Sequence, residues 1–211
     1  MDVLLLGASG QIGRRIANEL LDRGHAVTGV SRSGEVDVEG DEFEAVAGDA
    51  TDPDEVADLA NGHDAVGSAL GPPADEDPEV FVPMTEAVLD GLRRSDVDRL
   101  VWTGGAGGLN VGPDRKLIDD DEFPDDLVPL AQAHIDALDR IREADDLEWS
   151  YLAPPMVIEP GERTGEYRTA VGDLVVDDDG DSHVSMEDFA VAFVDELEDA
   201  DAVHTQLGVG Y

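Results

Sequence analysis

Residues Val3-Leu4-Leu5-Leu6 are an unbroken apolar run, and Gly7-Ala8-Ser9-Gly10-Gln11-Ile12-Gly13 follows it directly with glycines three positions apart. An apolar run without alternation is how a strand buried on both faces reads. Beyond the glycines, Ile12, Ile16 and Leu20 recur every four positions and mark one face of a helix. Buried strand, glycine turn and amphipathic helix in that order leave few folds open. Arg23-Gly24-His25 closes the helix, with Gly24 as a left-handed cap. Ala26–Val30 then reads as a second strand. The unit spans about 30 residues, the size of a βαβ crossover.

The alternation continues along the chain. Strands are expected at Phe43–Ala47, Ala65–Ala69, Leu100–Thr103 and Trp149–Leu152. Between them, Thr51-Asp52-Pro53 opens a short helix carrying Val56 and Leu59, with the proline tolerated in its first turn. Val80, Met84 and Val88 mark another helix. A third, through about Leu127–Ala144, carries Leu130, His134, Ile135, Leu138 and Ile141. Strands alternating with helices imply an α/β fold with a doubly wound parallel sheet, the Rossmann architecture. The last third is less regular. Gly161–Val176 is expected to form a hairpin, and Ser185-Met186-Glu187-Asp188 a capping-box-like helix start. Val203–Gly210 is expected to be an edge strand. No repeat or linker divides the chain, so residues 1–211 are read as one domain, with about 155–185 as a small lobe on the substrate side.

Charge narrows the function. The chain has 51 acidic and 13 basic side chains and a net charge of −38. Lys116 is its only lysine, and the acid is spread through nearly every segment. An acidic patch for a partner would be a block. An even distribution points instead to adaptation to molar salt, which screens the repulsion. Nucleic-acid binding is disfavoured, because phosphate contacts need clustered Lys or Arg. There is no cysteine, hence no disulfide or thiol chemistry. No apolar run reaches the ~18 residues of a membrane span. Val3–Leu6 is too short for a signal-peptide core, so the expected location is the cytoplasm.

In this context the glycine loop reads as a pyrophosphate site. Gly7 permits the tight turn, Gly10 lets the backbone approach the phosphates, and Gly13 lets the helix pack on the strand. The free N–H groups around Gln11 and Ile12, with Ser9 beside them, face the phosphates along the helix dipole. At the tip of the second strand stands Ser31-Arg32-Ser33 rather than the acid of NAD-specific folds. Arg32 suits a 2′-phosphate and favours NADP(H). Glu35 is near enough in sequence to keep NAD(H) open. Asp49 and Ala50, after the third strand, are candidates for the adenine edge. As a turn residue, Asp49 has the alternative role of capping the helix at Pro53. Ala69-Leu70-Gly71, after the fourth strand, is expected near the cofactor's ribose.

Several of these pieces together resemble the atypical short-chain dehydrogenase/reductase superfamily. They are Gly7–Gly13, Arg32, Gly48-Asp49-Ala50, Leu100-Val101-Trp102-Thr103-Gly104-Gly105-Ala106 and Trp149-Ser150-Tyr151-Leu152-Ala153-Pro154-Pro155. The closest likeness is to NmrA-like NAD(P)-binding proteins and to the NADH-flavin reductase and biliverdin reductase B group. Glu159-Pro160-Gly161-Glu162-Arg163-Thr164-Gly165 resembles the prokaryotic NADH-flavin reductases. The likeness implies that Thr103, Gly104 and Pro154 stand at the nicotinamide end. The larger superfamily carries Tyr-x-x-x-Lys on the helix before the sixth strand; this chain has Leu130-Ala131-Gln132-Ala133-His134 there. Ketone reduction or epimerisation by that pair is therefore not expected.

What remains is an oxidoreductase that passes hydride from NAD(P)H to a flavin or similar flat conjugated acceptor. Positioning suffices for that chemistry, and solvent supplies the proton. Thr103 and His134 are the candidate catalytic residues, the first to orient a ring and the second as an acid near pH 7. The alternative is an NmrA-like redox sensor that binds the nucleotide and signals to a protein partner without turnover. Gly104–Asp126, with four consecutive acids at Asp119–Glu122, is long enough to wall or cover the acceptor. No metal is expected. Asp177–Asp181 fails the calcium-loop spacing, and the five histidines match no metal motif.

Overall fold

A computed structural model describes residues 1–72 and 77–211. The first half reads β1 (Asp2–Leu6), α1 (Gln11–Asp22), β2 (Ala26–Ser31), β3 (Phe43–Ala47), α2 (Pro53–Ala60), β4 (Ala65–Ser68) and α3 (Phe81–Leu92). Then come β5 (Arg99–Thr103), β6 (Asn110–Gly112), β7 (Arg115–Lys116), α4 (Val128–Arg142), β8 (Glu148–Ala153) and β9 (Val157–Glu159). β10 (Arg168–Val171), β11 (His183–Ser185), α5 (Met186–Asp199) and β12 (Thr205–Gly210) complete the chain. The main sheet has eight strands in the order β10-β12-β8-β5-β4-β1-β2-β3, and every pairing is parallel except β10 with β12. This is the doubly wound Rossmann arrangement, with the order reversing between β1 and β4.

The central strands are buried on both faces, as their unbroken apolar runs require. Val3 and Leu5 feed one core with Ile16, Leu20, Phe189 and Phe193, under α1 and α5. Leu4 and Leu6 feed the other with Phe81, Trp102, Leu138 and Ile141, under α2, α3 and α4. Helix ends follow local chemistry. The side chain of Asp52 accepts from the N–H groups of Asp54 and Glu55, and Pro53 occupies the first helical turn of α2. Gly24 takes φ +82°, and the N–H groups of Gly24 and His25 return to the carbonyls of Leu21 and Leu20, a Schellman stop for α1.

Four expectations are corrected. Gly161–Val176 is not a hairpin: β10 within it pairs antiparallel with β12. β12 is consequently interior, and β10 is the edge. Only half of the capping box at α5 forms, with Ser185 Oγ accepting from the Asp188 N–H. The Asp188 carboxylate instead accepts from Thr164 Oγ1, the Gly165 N–H and the Tyr211 hydroxyl, tying the 161–167 segment down. Leu130 does not join the core: it sits in the first turn of α4 and is 39% exposed.

Candidate functional site

At the switch point, the loop after β1 meets the segment after β4. Gly7 has φ +77°, and a Cβ there would stand 2.7 Å from the Ala69 carbonyl oxygen, so no other residue fits the turn. Gly13 is pressed against the Gly7 carbonyl in the same way. Gly10 differs, since an added Cβ would meet only Gly7 O, at 3.3 Å. Its open side faces a cleft of about 510 Å³. Gly10 is also the N-cap of α1 and offers no side-chain cap, so the first-turn N–H groups are available to a ligand. Bare N–H donors at a helix start beside a glycine with room in front of it fit a dinucleotide pyrophosphate.

Gly7, Ser9, Gly10, Arg32, Asp49, Ala50, Ala69, Leu70 and Gly71 all line this cleft. Gln11, Ile12 and Gly13 lie behind it in the first turn of α1. Asp49 does not cap α2, because Asp52 does. Its Oδ1 accepts from the N–H of Thr51 at 2.9 Å and from Thr51 Oγ1 at 2.7 Å. These bonds, first of all the one from the hydroxyl, hold its carboxyl below the usual range, and the nearby Arg32 guanidinium adds to the effect. Arg32 is exposed on the cleft wall. The Glu35 backbone is held in the loop, its carbonyl accepting from Ser31 Oγ and its N–H donating to Ser33 Oγ, while the residue is exposed.

Sequence reasoning missed part of the wall. Val80 and Met84 line the cleft, though their spacing reads as a helix core face. Gly48 lines it as well. A Cβ on it would stand 2.6 Å from Val30 Cγ1 and 2.8 Å from Leu59 Cδ1, so Gly48 sets how closely the third strand's loop hugs the second.

Behind Val80 and Met84, the fully buried Phe81 packs toward α4. The ring of Phe81 lies 5.1 Å from that of His134, edge to face. His134 in turn stands under Gly105, where a Cβ would meet the imidazole at 2.9 Å. Burial pushes the His134 imidazole down to about 4. At pH 7 the ring is therefore neutral, and the acid role expected of it is not supported by its surroundings. Tyr151 accepts from the Gly105 N–H and donates to the His134 carbonyl, and burial pushes its phenol well above its ordinary value. Its ring fills the space where Gly104 would otherwise carry a side chain, 1.9 Å from the Cβ position. Thr103 ends β5 here, buried, and its hydroxyl has no hydrogen-bond partner among the described residues. Pro154 is buried just past β8 and, like Thr103 and Gly104, lies outside the lining of the main cleft.

The 104–126 connection is built rather than loose. Its Asn110 N–H donates to the Gly172 carbonyl, the Leu174 N–H donates to the Asn110 carbonyl, and Leu109 and Leu117 are buried. Asp177 Oδ1 closes an acidic turn on the N–H groups of Asp179 and Asp181. Among the described residues there is no cluster of three or more metal-ligating side chains, and no helix is long and apolar enough to cross a membrane.

Known proteins share this architecture over their full length. A proposed exported protein from Burkholderia pseudomallei is 41% identical and superposes with a TM-score of 0.91, covering 100% of both chains. A proposed epimerase from Bacteroides thetaiotaomicron is 34% identical, with a TM-score of 0.91 over 100% of this chain and 96% of that one. A proposed NADH-flavin reductase from Streptococcus pneumoniae is 30% identical, with a TM-score of 0.90 over 100% of this chain and 99% of its own. A family described as NAD(P)H-binding matches residues 7–200, and the chain belongs to it.

Proposed function

We propose that the chain is an NADP(H)-preferring reductase of flavins or similar flat conjugated acceptors, with NAD(H) as a weaker cofactor. The carrying observation is that, among the described residues, the end of β5 offers no proton donor poised near neutrality. Tyr151 is buried with its hydroxyl committed to two backbone groups, His134 is held neutral, and α4 contains no lysine. When bound, the dinucleotide supplies a hydride, which with one solvent proton reduces the acceptor by two electrons. The chain's part is to hold and orient. The loop 7–13 and the start of α1 take the pyrophosphate, Arg32 the 2′-phosphate, Asp49 and Ala50 the adenine edge, and Ala69–Gly71 the ribose. Thr103, whose hydroxyl has no partner among the described residues, orients a ring through one hydrogen bond, with His134 and Phe81 packed behind it.

Residues 155–185 are the acceptor-side lobe in this reading, and the even acidity is an adaptation to a salt-rich cytoplasm. The likeness to an NADH-flavin reductase supports the acceptor class. The test is NADPH oxidation with riboflavin in molar KCl, with nucleotide binding measured by fluorescence in the same sample. Turnover that disappears in a Gly10→Val variant supports the reductase. Tight NADPH binding without turnover on flavins or quinones overturns it in favour of the sensor.

A further inference from the structure

The main sheet has two edges, and they are guarded differently. At one end β3 is accompanied by Asp41, Glu42 and Glu44, all exposed. Charges of that kind keep an edge from pairing with another chain. At the other end β10 reads Arg168-Thr169-Ala170-Val171, with no carboxylate on the strand. Its one charged side chain does not shield the edge, because Arg168 is turned back and donates to the carbonyls of Val176 and Tyr211. Val171 is 72% exposed, the highest value of any large apolar side chain among the described residues.

Register decides which backbone groups β10 offers. The Gly172 N–H donates to the Gln206 carbonyl, and Ala170 and Arg168 stand opposite Gly208 and Gly210. Antiparallel bonds alternate along a strand, so the even-numbered residues bond to β12, while Thr169 and Val171 turn their N–H and C=O groups outward. Among the described residues nothing pairs with that outward side. Outward groups two residues apart on a short strand are self-complementary: the same strand of a second copy, running antiparallel, satisfies them all.

We propose that two copies of the chain associate through β10, joining their main sheets edge to edge about a twofold axis at Ala170. Thr169 of each copy stands opposite Val171 of the other, the two exchanging both N–H···O bonds and packing their exposed side chains together. Arg168 falls opposite Gly172, which has no side chain to crowd it. Two chains of net charge −38 repel, and they approach most closely here along a stretch free of carboxylates. Glu166 and Asp173 flank the strand and the acidic turn Asp177–Asp181 follows it, so the contact strengthens as salt screens them. Four residues make a small contact, and the dissociation constant is expected to be on the order of 10 µM or above. The association does not depend on what the cleft binds.

The chain has no cysteine, so a single introduced cysteine reports contacts between copies without background. About the twofold axis the two Ala170 residues form a non-hydrogen-bonded pair with Cα atoms about 4.5 Å apart, within disulfide reach. Ala170→Cys, oxidised in molar KCl, is expected to give mostly crosslinked dimer, and Ala45→Cys on the β3 edge mostly monomer. Sedimentation equilibrium of the cysteine-free chain should show a monomer–dimer equilibrium whose dissociation constant falls about threefold or more between roughly 0.5 and 3 M KCl. Val171→Pro removes an outward N–H without touching a bond to β12. It is expected to weaken the dimer about tenfold or more, the worth of the paired bonds lost across the twofold, while circular dichroism reports an unchanged fold. A chain that stays monomeric at every salt and up to several hundred µM overturns the proposal. Equal crosslinking of the two cysteine variants overturns it as well, and so does a dimer that Val171→Pro leaves intact, since either places the contact elsewhere.

Discussion

The carbonyl oxygen of Gly7 stands 2.2 Å from the point a Cβ on Gly13 would occupy. The loop and the first turn of α1 are in backbone contact, and the uncapped N–H groups at the start of α1 are aimed by it. Gly10 carries no such restriction, its added Cβ meeting only one oxygen at 3.3 Å. The two glycines should therefore separate stability from binding. Gly13→Ala is expected to cost about 1–3 kcal/mol of stability, as overpacking does, and to lose NADPH affinity with it. Gly10→Val should leave the melting temperature within a few degrees and still abolish binding, because its side chain enters the cleft. Thermal melts paired with NADPH fluorescence titrations check both. A Gly13→Ala chain as stable as the parent would mean the contact is not tight.

Arg32 sits on the cleft wall with Asp49 near it, while the Glu35 backbone is folded back onto Ser31 and Ser33. Arg32→Ala should weaken NADPH binding by about 1.5–3 kcal/mol, the worth of hydrogen bonds to a charged group, or roughly 10- to 150-fold. NADH binding should change less than threefold. Isothermal titration with both nucleotides measures this. Equal losses for the two would remove the 2′-phosphate role.

Much of this cleft's lining is legible in the sequence because its parts are local. A glycine spacing, a strand tip and the residues just after a strand are read within a few positions, and β3 fell on Phe43–Ala47 as expected. What was missed depends on distant partners. β10 reads as half of a hairpin until it is seen to pair with β12, more than thirty residues on. Met84 and Val88 share a helical stripe and both pack on the core, but Val88 is fully buried whereas Met84 is partly buried and also lines the cleft. Leu130 follows the same stripe as Leu138 yet lies in a turn of α4 with no core beneath it. His134 illustrates the chemical version: its sequence position suits an acid, whereas the packing of Phe81 and the 105 backbone against it removes the charge.

The net charge of −38 implies strong salt dependence. Among the described residues ion pairs take up most of the arginines, and the remaining carboxylates repel one another across the surface. The screening length falls from about 10 Å at 0.1 M salt to about 3 Å at 1 M. Melting temperature is expected to rise by about 10 °C between 0.1 and 2 M KCl, on the order of 3–5 kcal/mol for a chain of this size. Most of the gain should come below about 1 M, where screening changes fastest. Scanning calorimetry at fixed pH decides it. A flat or falling curve would mean the carboxylates are compensated in place, and the salt-adaptation reading would be dropped.

Glu19 offers a sharper electrostatic test, because it is 4% exposed and holds two elements at once. It accepts from Arg163 at 2.7 Å through both carboxylate oxygens and from Arg23 at 2.8 Å, joining α1 to the segment after β9. The Arg163 hydrogen bonds hold its carboxyl below the usual range, against the opposing effect of burial and with further help from Arg23. A carboxyl with a lowered folded pKa stabilises above its unfolded pKa, and that stability is lost as pH falls through the folded value. Glu19→Gln should therefore cost about 1–3 kcal/mol at pH 7. The difference from the parent should persist to about pH 4.3, the ordinary Glu value, and shrink on further acidification. Comparing the two chains cancels the global relief of repulsion that acid brings to both. Urea unfolding at constant KCl from pH 7 to pH 3 measures the gap; a gap of the same size at both ends would assign the loss to packing instead of to the Arg163 and Arg23 bonds.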